Sequence, residues 1–511
     1  MIEIMSNKAN LPSQIKFLSI AVTLLILLGS CSVSVKKNDN ILDATKKVFF
    51  RQDKSFSNQE VEDNWWLKFE DAELQRLIRM ALKNNQDVKI ANLNIITARE
   101  LNNIDAAALM PSASVGAARH RFASPAFGPQ GLRYDLYQST FDAVWELDFL
   151  GKNLDRYQAG KLRFLKEIQL YKASNLRLIS EICQNYVRLR TLQKEGKNLQ
   201  KIVNIRKKLL EIAQKKDVVG NALKSEAHQA TINYSEALNQ LNDIKSNEKI
   251  LGHKLAILVG VIPEKIGHLI SDNSTSILDY YTQQIPLGLP SDLLKRRADI
   301  IAAEYEVDAA GYDKRAQFKE FFPSFNLSAK IGGGAKNLGD TIGNGTNVKD
   351  ISGAISLPIF SANKLIAEYK ISKTHIKTAL LNYEKTIIAA VEECESQLIR
   401  YSNAIYSKTN SYKALDASRK ILHIDWKKRE LGIIAEEKLL ESEIANIVNE
   451  NNFVERQSES LVNLVALYKA LGGGFESQEI QFKDDNISWI KSEKNGRRGE
   501  ASNLNKKRRT Q

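Results

Sequence analysis

The stretch FFPSFNLSAKIGGG, residues 321–334, alternates between apolar and polar side chains from Phe325 onward. Phe325, Leu327, Ala329 and Ile331 are apolar, and the residues between them are polar or charged. This two-residue period predicts a β-strand with one apolar face and one polar face. Most of the remaining chain has the periodicity of helices, so the sequence raises the question of what covers the apolar face.

Two other stretches show the same alternation. Residues 140–148 (TFDAVWELD) and 351–357 (ISGAISL) place apolar residues or glycine at every second position. A proline opens each region, and we predict two β-hairpins, at about 111–148 and 323–358. Alternating strands of about ten residues are typical of transmembrane β-barrels.

The distribution of proline predicts very long helices. No proline occurs between positions 129 and 263, or after 358. Proline interrupts helices because it lacks an N–H donor and clashes with the preceding turn. The segment from Gly151 to Gly220 would extend on the order of 100 Å as one helix, which is far more than the width of a soluble domain core.

A constant offset of 212 positions relates the two halves of the chain. Asp87 returns as Asp299, and Gly220 returns as Gly432. An offset that persists over so long a stretch indicates an internal duplication. In each unit we expect a helix (71–108 or 292–320), then a hairpin, then two long helices that meet at a glycine turn.

The N-terminal region predicts export and lipid attachment. Residues 17–30 (FLSIAVTLLILLGS) form an apolar segment that follows two lysines and ends at Cys31. This segment is shorter than the roughly 20 residues of a membrane-spanning helix and is typical of a secretory signal peptide. Residues 28–31 (LGSC) resemble the lipobox of bacterial lipoproteins, which implies that Cys31 is lipidated and that Ser32 favours sorting to the outer membrane. The alternative is a plain signal peptide followed by an unrelated cysteine.

We therefore predict six regions along the chain. They are a lipoprotein signal peptide (1–30), a lipidated tether (31–60), a first repeat (61–270, long helices 149–260), a linker (271–290), a second repeat (291–475, long helices 361–471) and a polar basic tail (476–511).

Charge and cysteine content exclude several classes of protein. The net charge is +13, but the last 21 residues carry eight basic and two acidic side chains. We interpret this tail as a solvated segment rather than a nucleic-acid arm, and expect no nucleic-acid partner. Cys183 and Cys394 lie in helical stretches and are expected to be buried, inert thiols, and a disulfide between them is the alternative. The six histidines lack a metal-ligand spacing, so neither a metal site nor a cofactor is predicted.

One copy of the chain cannot complete a barrel. Two hairpins supply four strands, whereas small barrels need about eight. In lipid, each unsatisfied backbone group at an open strand edge costs several kcal/mol. If the hairpins contact lipid, several copies must share one barrel, and three copies would give twelve strands. Closure of the sheet therefore requires an oligomer, and the number of copies stays open.

Several segments resemble the outer-membrane factor family, the TolC-like channels, and most closely the NodT-type efflux lipoproteins. They are WWLKFEDAELQRLIRMALKNNQDVKIANLNIITARE (65–100), FDAVWELDFLGK (141–152), LPSDLLKRRADIIAAEYEVDAAG (289–311), FFPSFNLSAKIGGG (321–334), LPIFSANKL (357–365) and LVALYKALGGGF (464–475). The resemblance covers roughly 61–476 and both repeats. Ala298 stands where proline is usual and Phe475 where tryptophan is usual, and neither departure affects the prediction of a channel.

The resemblance implies a fold that mixes α and β structure. Long antiparallel helices would form a periplasmic α-barrel, and the two hairpins of each protomer would join a twelve-stranded β-barrel in a homotrimer. The apolar strand faces would then contact outer-membrane lipid, and the polar faces would line the pore. The implied partners are a periplasmic adaptor protein and an inner-membrane pump of the RND type or similar.

The candidate site residues lie near the second glycine turn. Glu437 and Glu441 follow Gly432 and are four positions apart, so they are expected to share one helix face. In a trimer they would form acidic rings that attract cations. The family's constriction lies at the matching positions, although Glu437 departs from the apolar residue often found there. The alternative is ordinary solvated helix surface. The turns at Gly220 and Gly432 are the expected docking tips for an adaptor.

The predicted function is a passive exit duct, not an enzyme. No nucleophile motif, HExxH motif or complete phosphate-binding loop is found. The leading hypothesis is the outer-membrane channel of a tripartite efflux system for small molecules or drugs. A type I protein-secretion channel is the first alternative, and the lipobox favours efflux over it. A structural coiled-coil lipoprotein without a barrel is the second alternative, but it leaves the alternating hairpins unexplained.

Overall fold

The computed structural model describes residues 56–57, 64–124, 132–219, 224–270, 277–280, 285–286, 296–343, 346–360 and 362–473. Contacts divide the chain into two units, Met1–Gly474 and Phe475–Gln511, and every described residue lies in the first. The predictions for the signal peptide, Cys31, Gly220 and the basic tail therefore lie outside the described residues.

The described chain contains seven α-helices and a four-stranded antiparallel sheet. In chain order these are α1 (Ala72–Asn84), α2 (Gln86–Ala107), β1 (Ser112–Ser124), β2 (Leu132–Leu147), α3 (Lys152–Val218), α4 (Lys224–Val259), α5 (Ala298–Lys319), β3 (Ser324–Ala335), β4 (Thr346–Ser356), α6 (Ala362–Glu430) and α7 (Glu436–Ala470). Short 3-10 helices occupy Trp65–Phe69, Pro263–His268, Ile277–Asp279 and Leu338–Thr341. The predicted mixture of two hairpins and long helices is confirmed. Among these helices, none is both long enough and apolar enough to cross a membrane.

The prediction of one helix over 71–108 is wrong, because the chain breaks at Asn85. Asn85 has φ −59° and ψ 135°, which lies outside the helical region. Its side-chain oxygen accepts hydrogen bonds from the N–H groups of Asp87 (2.8 Å) and Val88 (3.2 Å) and caps α2. Its amide nitrogen donates to the carbonyl oxygen of Leu258 (2.9 Å), which fixes the corner between α1 and α2 against the end of α4.

The two halves of the chain have the same architecture at the predicted offset. Strand β3 begins at Ser324 and β1 at Ser112, while α7 begins at Glu436 and α4 at Lys224. The hairpins also share one register, since Gly116 pairs with Thr140 and the residues 212 positions later, Ser328 and Ser352, pair with each other.

The helices pack around several buried clusters. One joins α3, α4 and α7 and consists of Leu199, Ile202, Val203, Ile205, Ala237, Leu241, Leu440, Ile444 and Ile447. Another joins α5 and α6 and consists of Ile300, Val307, Ala310, Ala379, Tyr383, Ile387 and Ala390. The rings of Trp65 and Tyr468 stack with centroids 5.0 Å apart. Cys183 and Cys394 are free and buried, as predicted for inert thiols.

Arg297 connects the start of α5 with two other helices. Its guanidinium lies 2.7 Å from a carboxylate oxygen of Asp299 and 2.8 Å from one of Glu393, in α6. It also donates to the carbonyl oxygen of Ala470 (2.9 Å), at the end of α7. Gly472 lies directly against it, with φ +67°. The backbone ends of α5 and α7 are thereby held beside the middle of α6.

Candidate functional site

The register of the sheet places apolar residues of all four strands on one face. Phe141 in β2 pairs with Val115 in β1 and with Ile331 in β3. Phe325 in β3 pairs with Leu147 in β2 and with Ile355 in β4. The large side chains on this face are exposed and contiguous, namely Val115, Phe141, Trp145, Leu327, Ile331, Ile351 and Ile355. An apolar surface of this kind requires lipid or protein to cover it.

The opposite face of the sheet is polar. A single row of cross-strand partners runs through Ser114, Asp142, Lys330 and Asp350. The ammonium nitrogen of Lys330 lies 3.6 Å from one carboxylate oxygen of Asp142, and the other carboxylate oxygen accepts a hydrogen bond from the hydroxyl of Thr140 (2.8 Å). The alternation predicted from the sequence is thus present in 324–331. Toward the turn between β1 and β2 it is lost, since Phe122 and Tyr134 stack on the polar face and Arg121 pairs with Asp135 on the other face.

Both edges of the sheet are open. The strand order is β1-β2-β3-β4, so among the described strands β1 pairs only with β2 and β4 only with β3. Each outer edge leaves a row of backbone N–H and C=O groups without a strand partner.

The sheet is joined to the helices by a rigid turn. Gly151 has φ +71° and precedes α3, and the Asp148 carboxylate accepts a hydrogen bond from the N–H of Leu154 (2.8 Å). Lys319, the last residue of α5, donates to the carbonyl oxygen of Gly151 (2.9 Å). Asp155 lies between Lys319 (2.6 Å) and Arg315 (2.8 Å). These bonds connect the end of α5, which precedes the second hairpin, with the start of α3, which follows the first hairpin.

The predicted glycine turn between α6 and α7 is present. Gly432 has φ +71°, a conformation that glycine adopts readily and other residues rarely do. The N–H of Gly432 donates to the carbonyl oxygen of Arg429 (3.0 Å), and the N–H of Ile433 donates to that of Lys428 (2.8 Å). The matching prediction at Gly220 falls between α3 and α4, outside the described residues.

Glu437, in the first turn of α7, is bound to the other helical hairpin. Its carboxylate forms an ion pair with Lys216, in the last turn of α3. The hydrogen bond from Lys216 lowers the pKa of Glu437, and the same bond raises the pKa of Lys216. The side chain of Glu437 is 27% exposed. The role of Lys216 is not visible in the sequence, because no local pattern connects positions 221 residues apart.

Glu441 has a more open setting than Glu437. Its side chain is 60% exposed, and its nearest basic partner is Lys438, at 3.9 Å. Glu441 lines a groove of about 670 Å³ between α6 and α7. At the floor of this groove the hydroxyl of Ser442 donates to the buried carboxylate of Asp425. The two predicted glutamates therefore have different surroundings, although one helical turn separates them.

The flank of α2 is a further apolar surface that sequence analysis missed. Ile90 and Ile104 are 55% and 66% exposed, whereas the equivalent residues of α5, Ala302 and Ala316, are 3% and 2% exposed. The difference arises because α5 packs against both α3 and α6, whereas α2 packs mainly against α3. The available signal in the sequence was the spacing of Ile90 and Ile104, because residues fourteen positions apart lie on one face of a helix.

No metal centre is found in the described ranges. Nowhere in them do three or more His, Cys, Asp or Glu side chains lie close enough together to hold an ion.

Comparison with known proteins identifies the family. The sequence model of the outer membrane efflux protein family matches residues 77–261 and 289–473, which together exceed half of the chain. Both the starts and the ends of these segments are 212 positions apart. The chain belongs to the outer membrane efflux protein family, and the predicted resemblance to outer-membrane factors is confirmed.

Curated relatives and solved structures agree with this assignment. The probable efflux pump outer membrane protein TtgC of Pseudomonas putida is 25% identical over 475 residues, which are 91% of this chain and 96% of the relative. The outer membrane protein OprJ of Pseudomonas aeruginosa is 26% identical over 432 residues, which are 81% of this chain and 86% of the relative.

The solved outer-membrane channel OprN superposes with a TM-score of 0.76 at 21% identity, covering 86% of this chain and 98% of that one. The CmeC outer membrane channel of Campylobacter jejuni superposes with a TM-score of 0.75 at 22% identity, covering 88% and 94%. The fold is that of outer-membrane channels.

Proposed function

We propose that this chain is one third of a trimeric exit duct in the outer membrane, through which small molecules leave the cell. The observation that carries the proposal is the four-stranded sheet with an exposed apolar face, a charged face and two open edges. Lipid covers the apolar face, the charged face lines the pore, and further copies of the chain cover the edges.

Three copies give the sheet twelve strands, which is enough to enclose an aqueous channel, while one copy remains far below the number needed for closure. The exposed apolar flank of α2 supports the same assembly. Ile90 and Ile104 are exposed, whereas the equivalent residues of α5, Ala302 and Ala316, are covered within the chain, so a second copy is available to cover the isoleucines. The long helices α3 and α6 then continue the channel away from the membrane.

The duct works with a periplasmic adaptor and an inner-membrane pump of the RND type or similar, which supplies the energy. Relatives named for toluene and antibiotic efflux pumps support a cargo of small molecules or drugs. The turns at Gly432 and Gly220 are the docking tips for the adaptor. The chain itself performs no chemistry on its cargo.

The aperture of the duct lies at the helical tips. Glu441 from three protomers forms an acidic ring that favours cations. Glu437 contributes by holding Lys216, so that the ends of the two helical hairpins stay together.

Cys31 carries lipid and anchors residues 31–60 to the membrane after removal of the signal peptide, residues 1–30. The supporting observation is the LGSC sequence at the end of an apolar segment. Cys31→Ala should remove the lipid mass from the purified protein and leave its channel activity in a planar bilayer unchanged.

The assembly and its conductance test the proposal together. We expect the purified protein in detergent to have three times the mass of the processed chain, which lacks residues 1–30 of the 57.5 kDa sequence, and to open discrete channels in planar bilayers. Deletion of the gene should increase the accumulation of a fluorescent efflux substrate, and the wild-type chain should reverse this. A monomer without channel activity would disprove the duct.

A further inference from the structure

We propose that strand β4 of one protomer pairs antiparallel with β1 of the next, with Ala354 opposite Ala118. This inference rests on the proposed trimer and specifies the contact that closes it. The partner is a second copy of this chain, and the paired stretches are 348–356 in β4 and 116–124 in β1.

The register follows from the internal repeat. Inside one chain, the last strand of the first hairpin pairs with the first strand of the second, with Asp142 opposite Lys330. The residues related to this pair by the 212-position offset are Ala354 in β4 and Ala118 in β1. Because both hairpins share one register, the offset transfers the pairing without a slip.

The faces of the sheet agree with this register. Asp142 and Lys330 lie on the polar face, and Ala354 and Ala118 lie on the same face of their own hairpins. The neighbouring pair would set Ile355 opposite Ala117 on the apolar face. A slip of one residue would turn the apolar face of one protomer against the polar face of the next, which lipid would not tolerate.

The helices repeat the same relationship. Within one chain, α5 of the second repeat packs against α3 of the first. The equivalent contact between chains joins α2 of one protomer to α6 of its neighbour. Ile371 on α6 supports this pairing, because it is exposed while its equivalent on α3, Ala159, is buried.

The proposed contact of α2 with α6 between chains differs in chemistry from the contact of α5 with α3 within a chain. Inside the chain, Lys166 lies 3.0 Å from Glu306, and Asp155 lies 2.8 Å from Arg315. The equivalent positions between chains hold Thr378 with Asn94, and Ala367 with Asn103. These ion pairs are therefore absent from the contact between protomers.

Disulfide trapping in outer-membrane fractions tests the register. The variants are Ala118→Cys with Ala354→Cys and, on the other face, Ala117→Cys with Ile355→Cys. Adjacent antiparallel pairs alternate between wide and narrow spacing, so one of the two variants presents the closer geometry. After mild oxidation, at least one variant should run as a covalent trimer on a non-reducing gel and as a monomer after reduction.

The matched control is Ala118→Cys with Ser352→Cys, which shifts the pairing by two residues and keeps both thiols on the polar face. The unsubstituted chain reports any background from Cys183 and Cys394. Preferential trapping of the shifted pair, or no trapping in a protein whose mass is that of a trimer, would overturn the register and leave the duct intact. A monomeric mass would instead overturn the duct.

Discussion

Lys216 and Glu437 join the free ends of the two helical hairpins through one ion pair. Lys216 lies in the last turn of α3, and Glu437 lies in the first turn of α7. In the proposed duct, an opening movement at the tips would separate these helix ends, so the pair would stabilise a narrow aperture.

Lys216→Gln is expected to widen the aperture, because it removes the partner of Glu437. Single-channel recording should show a severalfold greater mean conductance than the wild-type protein. The double variant Lys216→Glu with Glu437→Lys should restore the narrow state. As a control, Lys420→Gln breaks the exposed pair with Asp416 on α6 and makes the same change in charge. Equal effects of Lys216→Gln and Lys420→Gln would contradict a role for the tip pair.

Glu441→Gln is expected to reduce the preference of the channel for cations. The trimer would lose three negative charges at the constriction, where a narrow path makes them most effective. The reversal potential in a salt gradient measures this preference. Glu443→Gln, two positions further along α7, is the matched control and should leave the reversal potential near the wild-type value. If both variants behave like the wild type, Glu441 does not face the pore.

Glu195→Gln is expected to stabilise the protein at pH 8. Burial, with the Glu455 carboxylate nearby, raises the pKa of Glu195 to about 7, whereas an unfolded glutamate titrates near pH 4.3. The folded state therefore binds the proton more tightly. The stability this contributes is complete below about pH 4.3 and is lost as the pH rises through about 7.

The gain at pH 8 should be about 1–2 kcal/mol, after allowance for partial solvent screening, and should vanish at pH 4. Thermal unfolding followed by circular dichroism at both pH values measures it. Glu450→Gln is the control, and it is expected not to stabilise the protein at pH 8. Burial acts to raise the pKa of Glu450, but Lys194, 3.0 Å away, together with Lys201 and Asn198, outweighs this effect and lowers the pKa. A stabilising Glu450→Gln at pH 8 would contradict this account.

Ile104→Asp is expected to weaken the trimer, because it places a charge on the uncovered flank of α2. The fraction of trimer in light-scattering measurements should fall severalfold at a fixed protein concentration. Ile257→Asp is a suitable control. Ile257 is exposed on α4, and its equivalent in the second repeat is Lys469, so this position accepts a charge. A similar loss of trimer in both variants would argue against a specific contact at α2.

Gly472→Ala is expected to destabilise the fold by about 1–3 kcal/mol, because alanine at φ +67° is strained. The added Cβ would also lie 2.9 Å from the side chain of Arg297 and 3.3 Å from its backbone. A lower melting temperature in calorimetry would show the effect. At Gly267, a Cβ would meet nothing within 4 Å, and Gly267→Ala should melt near the wild-type temperature.

The sequence predicted the architecture because its two strongest signals are local or exactly repeated along the chain. Strand alternation in 321–334 needs only neighbouring residues, and the offset of 212 needs only a comparison of the chain with itself. The break at Asn85 was missed because the helical pattern of apolar residues continues across it. Only the side-chain cap reveals the corner, and many asparagines in helices make no such cap.

Contacts between distant segments could not be predicted in this way. Arg297 bonds to residues 96 and 173 positions away, and Lys216 pairs with Glu437 from the opposite repeat. The helix α3 packs against α2, α4, α5 and α7, so its buried residues are not confined to one stripe. Without a single apolar face, the sequence does not indicate which side chains of α3 point toward which neighbour.

The different chemistry of the helix contacts within a chain and between chains implies that each chain folds before the chains assemble. Ion pairs such as Lys166 with Glu306 can form as soon as one chain folds, without help from another copy. In the proposed trimer, the flank that carries Ile90 and Ile104 would stay hydrated until a neighbouring copy covers it, so the release of water would favour assembly. Hydrophobic stabilisation weakens on cooling, whereas concentrated salt screens ion pairs, which this contact lacks. The trimer is therefore expected to dissociate more readily in ice-cold buffer than in concentrated salt.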